Sequence, residues 1–115
     1  MTIYIVQTHA PEHPSSWHGQ DMLLALATLE LNPQLVLLGD ALDHWRVSKD
    51  VVRHNRSLQK RYGLLELYDC PAPLLASDPL TAETGNADDW IGDYHPLTYA
   101  DIAARLALSD KVMRF

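Results

Sequence analysis

The chain has 115 residues, 47% of them hydrophobic and 21% charged, which is the size of one domain and the balance of an ordinary globular protein. Fifteen acids against nine bases leave a net charge of -6, which disfavours direct nucleic-acid contact or an anionic membrane surface. The single cysteine, Cys70, excludes an internal disulfide, and residues 1–9 lack the basic start and long apolar stretch of a signal peptide, so the expected setting is cytoplasmic.

Residues 3–6 are an apolar, β-rich run ending at polar Gln7, Thr8 and His9, which reads as a buried strand. Residues 9–19 hold two prolines, three histidines and two serines and read as a loop, with Ser15 or Ser16 capping the next helix. That helix is predicted over residues 20–31, buried on most sides and stopped by Asn32-Pro33. Its apolar run at 22–29 is far shorter than the ~20 residues that span a bilayer. Residues 35–38 are a second fully apolar strand, ended by Gly39. A helical turn at 40–45 is opened by Asp40. The basic segment 49–60 reads as a solvent-facing helix, and residues 64–68, opened by Gly63, as a third strand. Residues 74–76 form a possible fourth strand, which prolines 71, 73 and 79 place at an edge. Residues 81–94 are acidic and turn-rich. Thr98 caps a last helix, with Asp101 at its third position, and residues 111–115 close the chain as a strand.

The order β-α-β-α-β-β-α-β predicts an α/β protein: a single three-layer α/β/α domain over 1–115, flavodoxin- or Rossmann-like, with about five mostly parallel strands. Functional residues of such sheets gather at the carboxyl ends of the strands. Here that edge would collect Thr8 and His9, Gly39 and Asp40, Asp69 and Cys70, and Ser77 and Asp78.

The chemistry-bearing residues are few. No glycine-rich loop follows the first strand, so no nucleotide and no other cofactor is expected. His9, His13 and His18 share a loop without a cysteine partner and read as solvated rather than metal-binding. Asp40, Asp43 and His44 have the residue types for acid–base work, but Asp40 also suits a cap, with Asp43 and His44 facing water. Cys70 is the one candidate nucleophile; Asp69 disfavours its thiolate and Pro71 offers no amide to stabilise it. Trp17, Trp45 and Trp90 lie outside the predicted strands, as interface tryptophans do. The basic segment 49–61 and the acidic segment 78–93 make two poles that would steer subunits together.

Several pieces, in order, resemble the DsrE/DsrF-like sulfur-relay family, and within it the TusC/DsrF branch, as a divergent member. They are "IYIVQTHAPEHPSSWHGQDMLLALATLE", "LVLLGDAL", "GLLELYDC" and the ending "LALSDKVMRF". The resemblance implies a five-stranded α/β/α fold. It also implies a heterohexamer with homologous DsrE/TusD-like and DsrH/TusB-like subunits, relaying persulfide toward tRNA 2-thiouridine or within sulfur oxidation. The family's sulfur-carrying cysteine would fall near Ala76, so that role does not transfer.

The expected function is therefore a non-catalytic structural subunit of a sulfur-relay complex. Its interface residues would be Asp40, Asp43, His44, Trp45 and Trp90, with no metal site. One alternative is a sulfurtransferase carrying persulfide on Cys70, which needs a base from 49–61 or His44 to support the thiolate. The other is a flavodoxin-like module for a small ligand.

Overall fold

The structure, a computed structural model, describes residues 2–76 and 90–115. Its elements in chain order begin with β1 (Ile3–Gln7), α1 (Pro14–Thr28) and β2 (Gln34–Leu37), followed by two 3-10 turns (Gly39–Trp45 and Val47–Lys49). Next come β3 (Val52–Arg53), β4 (Arg56–Ser57), α2 (Leu58–Arg61) and α3 (Leu64–Leu67). The remaining elements are β5 (Leu74–Ala76), β6 (His95–Leu97), α4 (Tyr99–Ala107) and β7 (Lys111–Arg114). Five strands make one parallel sheet in the order β6-β5-β2-β1-β7, while β3 and β4 form a separate antiparallel hairpin. This is the predicted α/β class with a parallel five-stranded sheet.

Side chains alternate across a strand, so a sheet covered on both faces needs apolar residues at every position. β1 meets that need over Ile3, Tyr4, Ile5 and Val6 and ends on polar Gln7, with all five residues buried. Ile5, Leu35, Leu37 and Leu75 face a core built with Leu23, Leu24 and Ala27 of α1 and with Leu58, Tyr62 and Leu65. Tyr4, Val6, Val36, Leu74 and Ala76 face the other core, where α4 supplies Ile102. Thr98 caps α4 as its sequence position predicts, accepting a hydrogen bond from the Asp101 amide at 3.1 Å. Among the described residues no helix is long and apolar enough to cross a membrane.

Several expectations need correction. The first helix begins at Pro14, not at residue 20, because proline suits the first helical position. His13, not Ser15 or Ser16, caps it: its Nδ1 accepts from the Ser15 amide at 3.1 Å. The helix is not buried on most sides, since Met22 and Leu29 are exposed. The segment 49–60 is not one helix. It breaks into a 3-10 turn, a hairpin and the start of α2, because His54 and Asn55 both adopt left-handed backbone angles (φ 52° and 62°) that reverse the chain. Residues 64–68 are not a strand: Leu64–Leu67 form the short helix α3, which buries only Leu65, and Tyr68 is its C-cap. β5 is not at the edge. It lies between β2 and β6, and Pro71 and Pro73 precede its first residue, where no ladder donor is lost. The edge strand on this side is β6, unforeseen in the sequence, and it carries Pro96; β7 is the other edge.

Candidate functional site

The carboxyl edge of the sheet collects some of the expected residues. Thr8 and His9 follow β1, and Gly39 (φ 57°) and Asp40 follow β2. Thr8, His9, Glu12, His13 and Asp40 line an open depression there. The His9 and His13 rings meet edge-on, 4.1 Å between centroids. Among the described residues, no three His, Cys, Asp or Glu side chains are grouped to hold a metal ion. Asp40 does not cap the turn; Leu38 holds the cap position, and no side chain bonds there. Ala76 ends β5 on this edge, in line with Leu38, since Leu37 pairs with Leu75. Ser77 and Asp78, also expected on the edge, lie outside the described residues.

His44 does not face water. Its side chain is fully buried and bonded on both ring nitrogens. Nδ1 lies 2.7 Å from the Tyr62 hydroxyl, and Nε2 lies 3.0 Å from the His9 carbonyl and 3.1 Å from Ser16 Oγ. A carbonyl can only accept, so the Nε2 proton points to His9, and the Tyr62 hydroxyl donates to Nδ1. Ser16 Oγ in turn donates to the Ala10 carbonyl at 2.7 Å. Burial lowers the His44 pKa to about 4, against smaller opposing effects from its bond to His9 and from Asp43. Burial also pushes the Tyr62 phenol well above its ordinary value. Both groups are therefore neutral near pH 7. Gln7 and Gln20 extend this polar seam: Gln7 Nε2 donates to the Ser16 carbonyl at 3.1 Å, and Gln20 Nε2 to the Leu58 carbonyl at 2.7 Å. The seam ties α1 to β1, to the 3-10 turn and to α2. Nothing in the sequence singles it out: Ser16 and Gln20 lie in a polar stretch, and Gln7 at the end of an apolar run.

The acid–base grouping of Asp40, Asp43 and His44 is not assembled. Asp40 is exposed, Asp43 pairs with Arg46 at 3.2 Å, and His44 turns inward. Trp45 and Trp90 are also packed within the chain. Trp45 Nε1 donates to the Gly92 carbonyl at 3.1 Å and its ring meets Tyr62 edge-on. Trp90 packs on Tyr94, with the Arg46 guanidinium 4.7 Å from its ring centroid. Of the five expected interface residues, Asp40 and Asp43 alone keep exposed surface to offer.

Cys70 is half-buried, and it is not on the carboxyl edge. Because residues 64–67 are helical, the stretch 69–73 leads into the amino end of β5. The thiol lines a cavity of about 290 Å³ with Trp45, Tyr62, Glu66, Gly92 and Asp93. Among the described residues, no Lys, Arg or His lines it. Burial raises the thiol pKa, and Asp69 raises it further. The base that a thiolate would need, from 49–61 or His44, is therefore not supplied. Alkylation of Cys70 is expected to be slow at neutral pH, with its midpoint above the ordinary thiol pKa of 9.0. Asp69→Asn is expected to lower that midpoint in part, since burial is the larger cause and asparagine tolerates the left-handed angle of 54° at this position. A midpoint unchanged in the variant would remove Asp69 from this account.

The sheet order and the crossing helices can be set against solved structures. The crystal structure of the YchN protein from E. coli superposes with a TM-score of 0.78, covering 100% of this chain and 99% of that one at 24% identity. The chain has the YchN fold. At this identity the likeness establishes fold alone, a parallel five-stranded α/β arrangement. No protein-family model matches the sequence, and no curated protein matches it significantly. The YchN fold covers the whole chain, so every candidate site above sits inside it.

Proposed function

We propose that this chain is a non-catalytic structural subunit of a sulfur-relay assembly of the TusC/DsrF kind. The observation that carries the reading is Ala76. It ends β5 at the carboxyl edge, where the sequence resemblance locates the carrier cysteine of the catalytic homologue. A methyl group cannot hold a persulfide. The chain's one thiol lies at the opposite edge in a cavity that also presents Glu66 and Asp93. The DsrE-like fold supports the same reading. The partners in this proposal are homologous DsrE/TusD-like and DsrH/TusB-like subunits, and the chain's work is to pack against the cysteine-bearing one.

Native mass spectrometry of the tagged chain, purified from its source cells, tests this. The expected result is a stoichiometric heterohexamer with two other subunits of similar size. Recovery of the chain alone, or only self-associated, would overturn the reading.

A second reading, in which Cys70 carries persulfide itself, has one observation in its favour: the half-buried thiol opens on a cavity of about 290 Å³, room enough for an added sulfur. That reading requires one added sulfur, about 32 Da, after persulfide treatment, and its loss in Cys70→Ala. The structural-subunit reading expects no stable adduct.

A further inference from the structure

We propose that the β3–β4 hairpin clamps the phosphate monoester of a small molecule between Arg53 and Arg56. Six of the nine bases, Arg46, Lys49, Arg53, Arg56, Lys60 and Arg61, fall within residues 46–61 of an otherwise acidic chain. Two of the arginines are already engaged. Arg46 pairs with Asp43, and Arg61 pairs with Asp21 while lying 5.4 Å from the Trp17 ring centroid. Arg53 and Arg56 have no acid partner among the described residues.

Their placement is the informative part. Arg53 and Arg56 are direct partners in the antiparallel register of the hairpin. Facing residues of such a pair have Cβ atoms only about 5 Å apart, and like charges there destabilise the pairing. The register is firmly set. His54 and Asn55 hold the left-handed angles of a tight two-residue turn. Behind it, the Asp50 carboxylate accepts from Ser57 Oγ at 2.5 Å and from the Gln59 amide at 3.1 Å. The Leu58 amide donates to the Val51 carbonyl at 2.9 Å. The fold thus sets two arginines without acid partners opposite each other on an anchored support, both lining one groove. A dianion between them removes the repulsion.

The surroundings select the class of anion. The pair opens on a groove of about 460 Å³, with Trp17, His18, His54 and the neutralised Asp21–Arg61 pair on its walls. That size suits a small molecule. Guanidinium forks match phosphate oxygens bidentately, and a monoester brings two charges where a carboxylate brings one. A long polyanion fits less well, because fourteen of the fifteen acids lie outside 46–61 and would repel a strand running past the hairpin.

The intact chain is titrated with inorganic phosphate, adenosine monophosphate, sulfate and a short single-stranded RNA, followed by calorimetry and by thermal melting. Phosphate and the monophosphate are expected to saturate and to raise the Tm with concentration. Arg53→Ala and Arg56→Ala are each expected to weaken binding about tenfold or more. The double variant without ligand is expected to melt no lower than the parent, because the like-charge pair is gone. Four results would each overturn the proposal: no saturable binding at millimolar monophosphate, unchanged binding in the double variant, sulfate binding more tightly than the monophosphate, or RNA binding in preference to the monophosphate.

Discussion

Gly19→Ala is expected to destabilise the protein by about 3 kcal/mol, at the upper end of the usual cost of overpacking a core. Gly19 sits on the buried side of α1, against the Gln7 side chain. A methyl group there would lie 2.3 Å from Gln7 Nε2, 2.7 Å from Cδ and 2.8 Å from Oε1. Gln7 cannot swing away cheaply, because it is fully buried and bonded to the Ser16 carbonyl. Helix propensity alone predicts the opposite sign, a gain of about 1 kcal/mol. The clash outweighs it, so Tm should fall by roughly 10–20 °C. Urea titration of Gly19→Ala, Gln7→Ala and the double variant checks the cause. The alanine at 19 should cost much less once the glutamine side chain is gone. An equal cost in both backgrounds would refute the close packing as its source.

The second large effect is on acid stability. His44 is buried and neutral with a folded pKa near 4, against 6.5 for the free side chain. Between these values the unfolded chain binds a proton that the folded chain does not. Stability from this group is therefore complete above pH 6.5 and is lost as pH falls toward 4, by about 3 kcal/mol in all. His44→Gln removes the titrating group. It should be less stable at pH 7, since the ring bonds both Tyr62 and His9. It should also show a shallower fall between pH 6.5 and 4 than the parent. Parallel slopes in denaturant titrations at pH 7, 5.5 and 4 would show that His44 does not set the acid limit.

The legibility of each segment in the sequence depends on how much it says about its own environment. β1 and β2 centre on short apolar runs, β-branched and aromatic in β1 and bounded by Pro33 and Gly39 in β2, the pattern of strands buried on both faces. The cap of α4 is equally local, a threonine three residues ahead of an aspartate. Residues 64–68 are a different case. A five-residue apolar run fits a strand or a helical turn, and its periodicity cannot decide. The helix wins because Leu65 alone reaches the core, and the short β5 takes the strand position. The hairpin is hidden for a related reason. His-Asn is a weak turn signal beside Asn-Gly, and the surrounding charges suggest a solvated helix.

The candidate sites divide the same way. Thr8, His9, Gly39 and Asp40 meet as predicted because they end parallel neighbours. Cys70 is expected at the wrong edge because its placement depends on residues 64–68 being a strand. His44 and Trp45 look like surface residues in the sequence because nothing local reveals that a 3-10 turn will fold its polar ring inward. That depends on Tyr62, Ser16 and the His9 carbonyl, brought from three other segments.

The pairing of β7 with β1 has a consequence for synthesis. Residues 111–114 sit beside residues 3–6, and the Thr2 carbonyl accepts from the amides of Asp110 and Lys111. A nascent chain therefore cannot flank β1 on both sides until residue 114 has left the ribosome. Until then the interior strand of the finished sheet has an open edge, apolar on both faces, of the kind that templates aggregation. Closing that loop over more than a hundred residues is a late and slow contact. The emerging protein thus stays exposed to misassembly along β1 until β7 arrives.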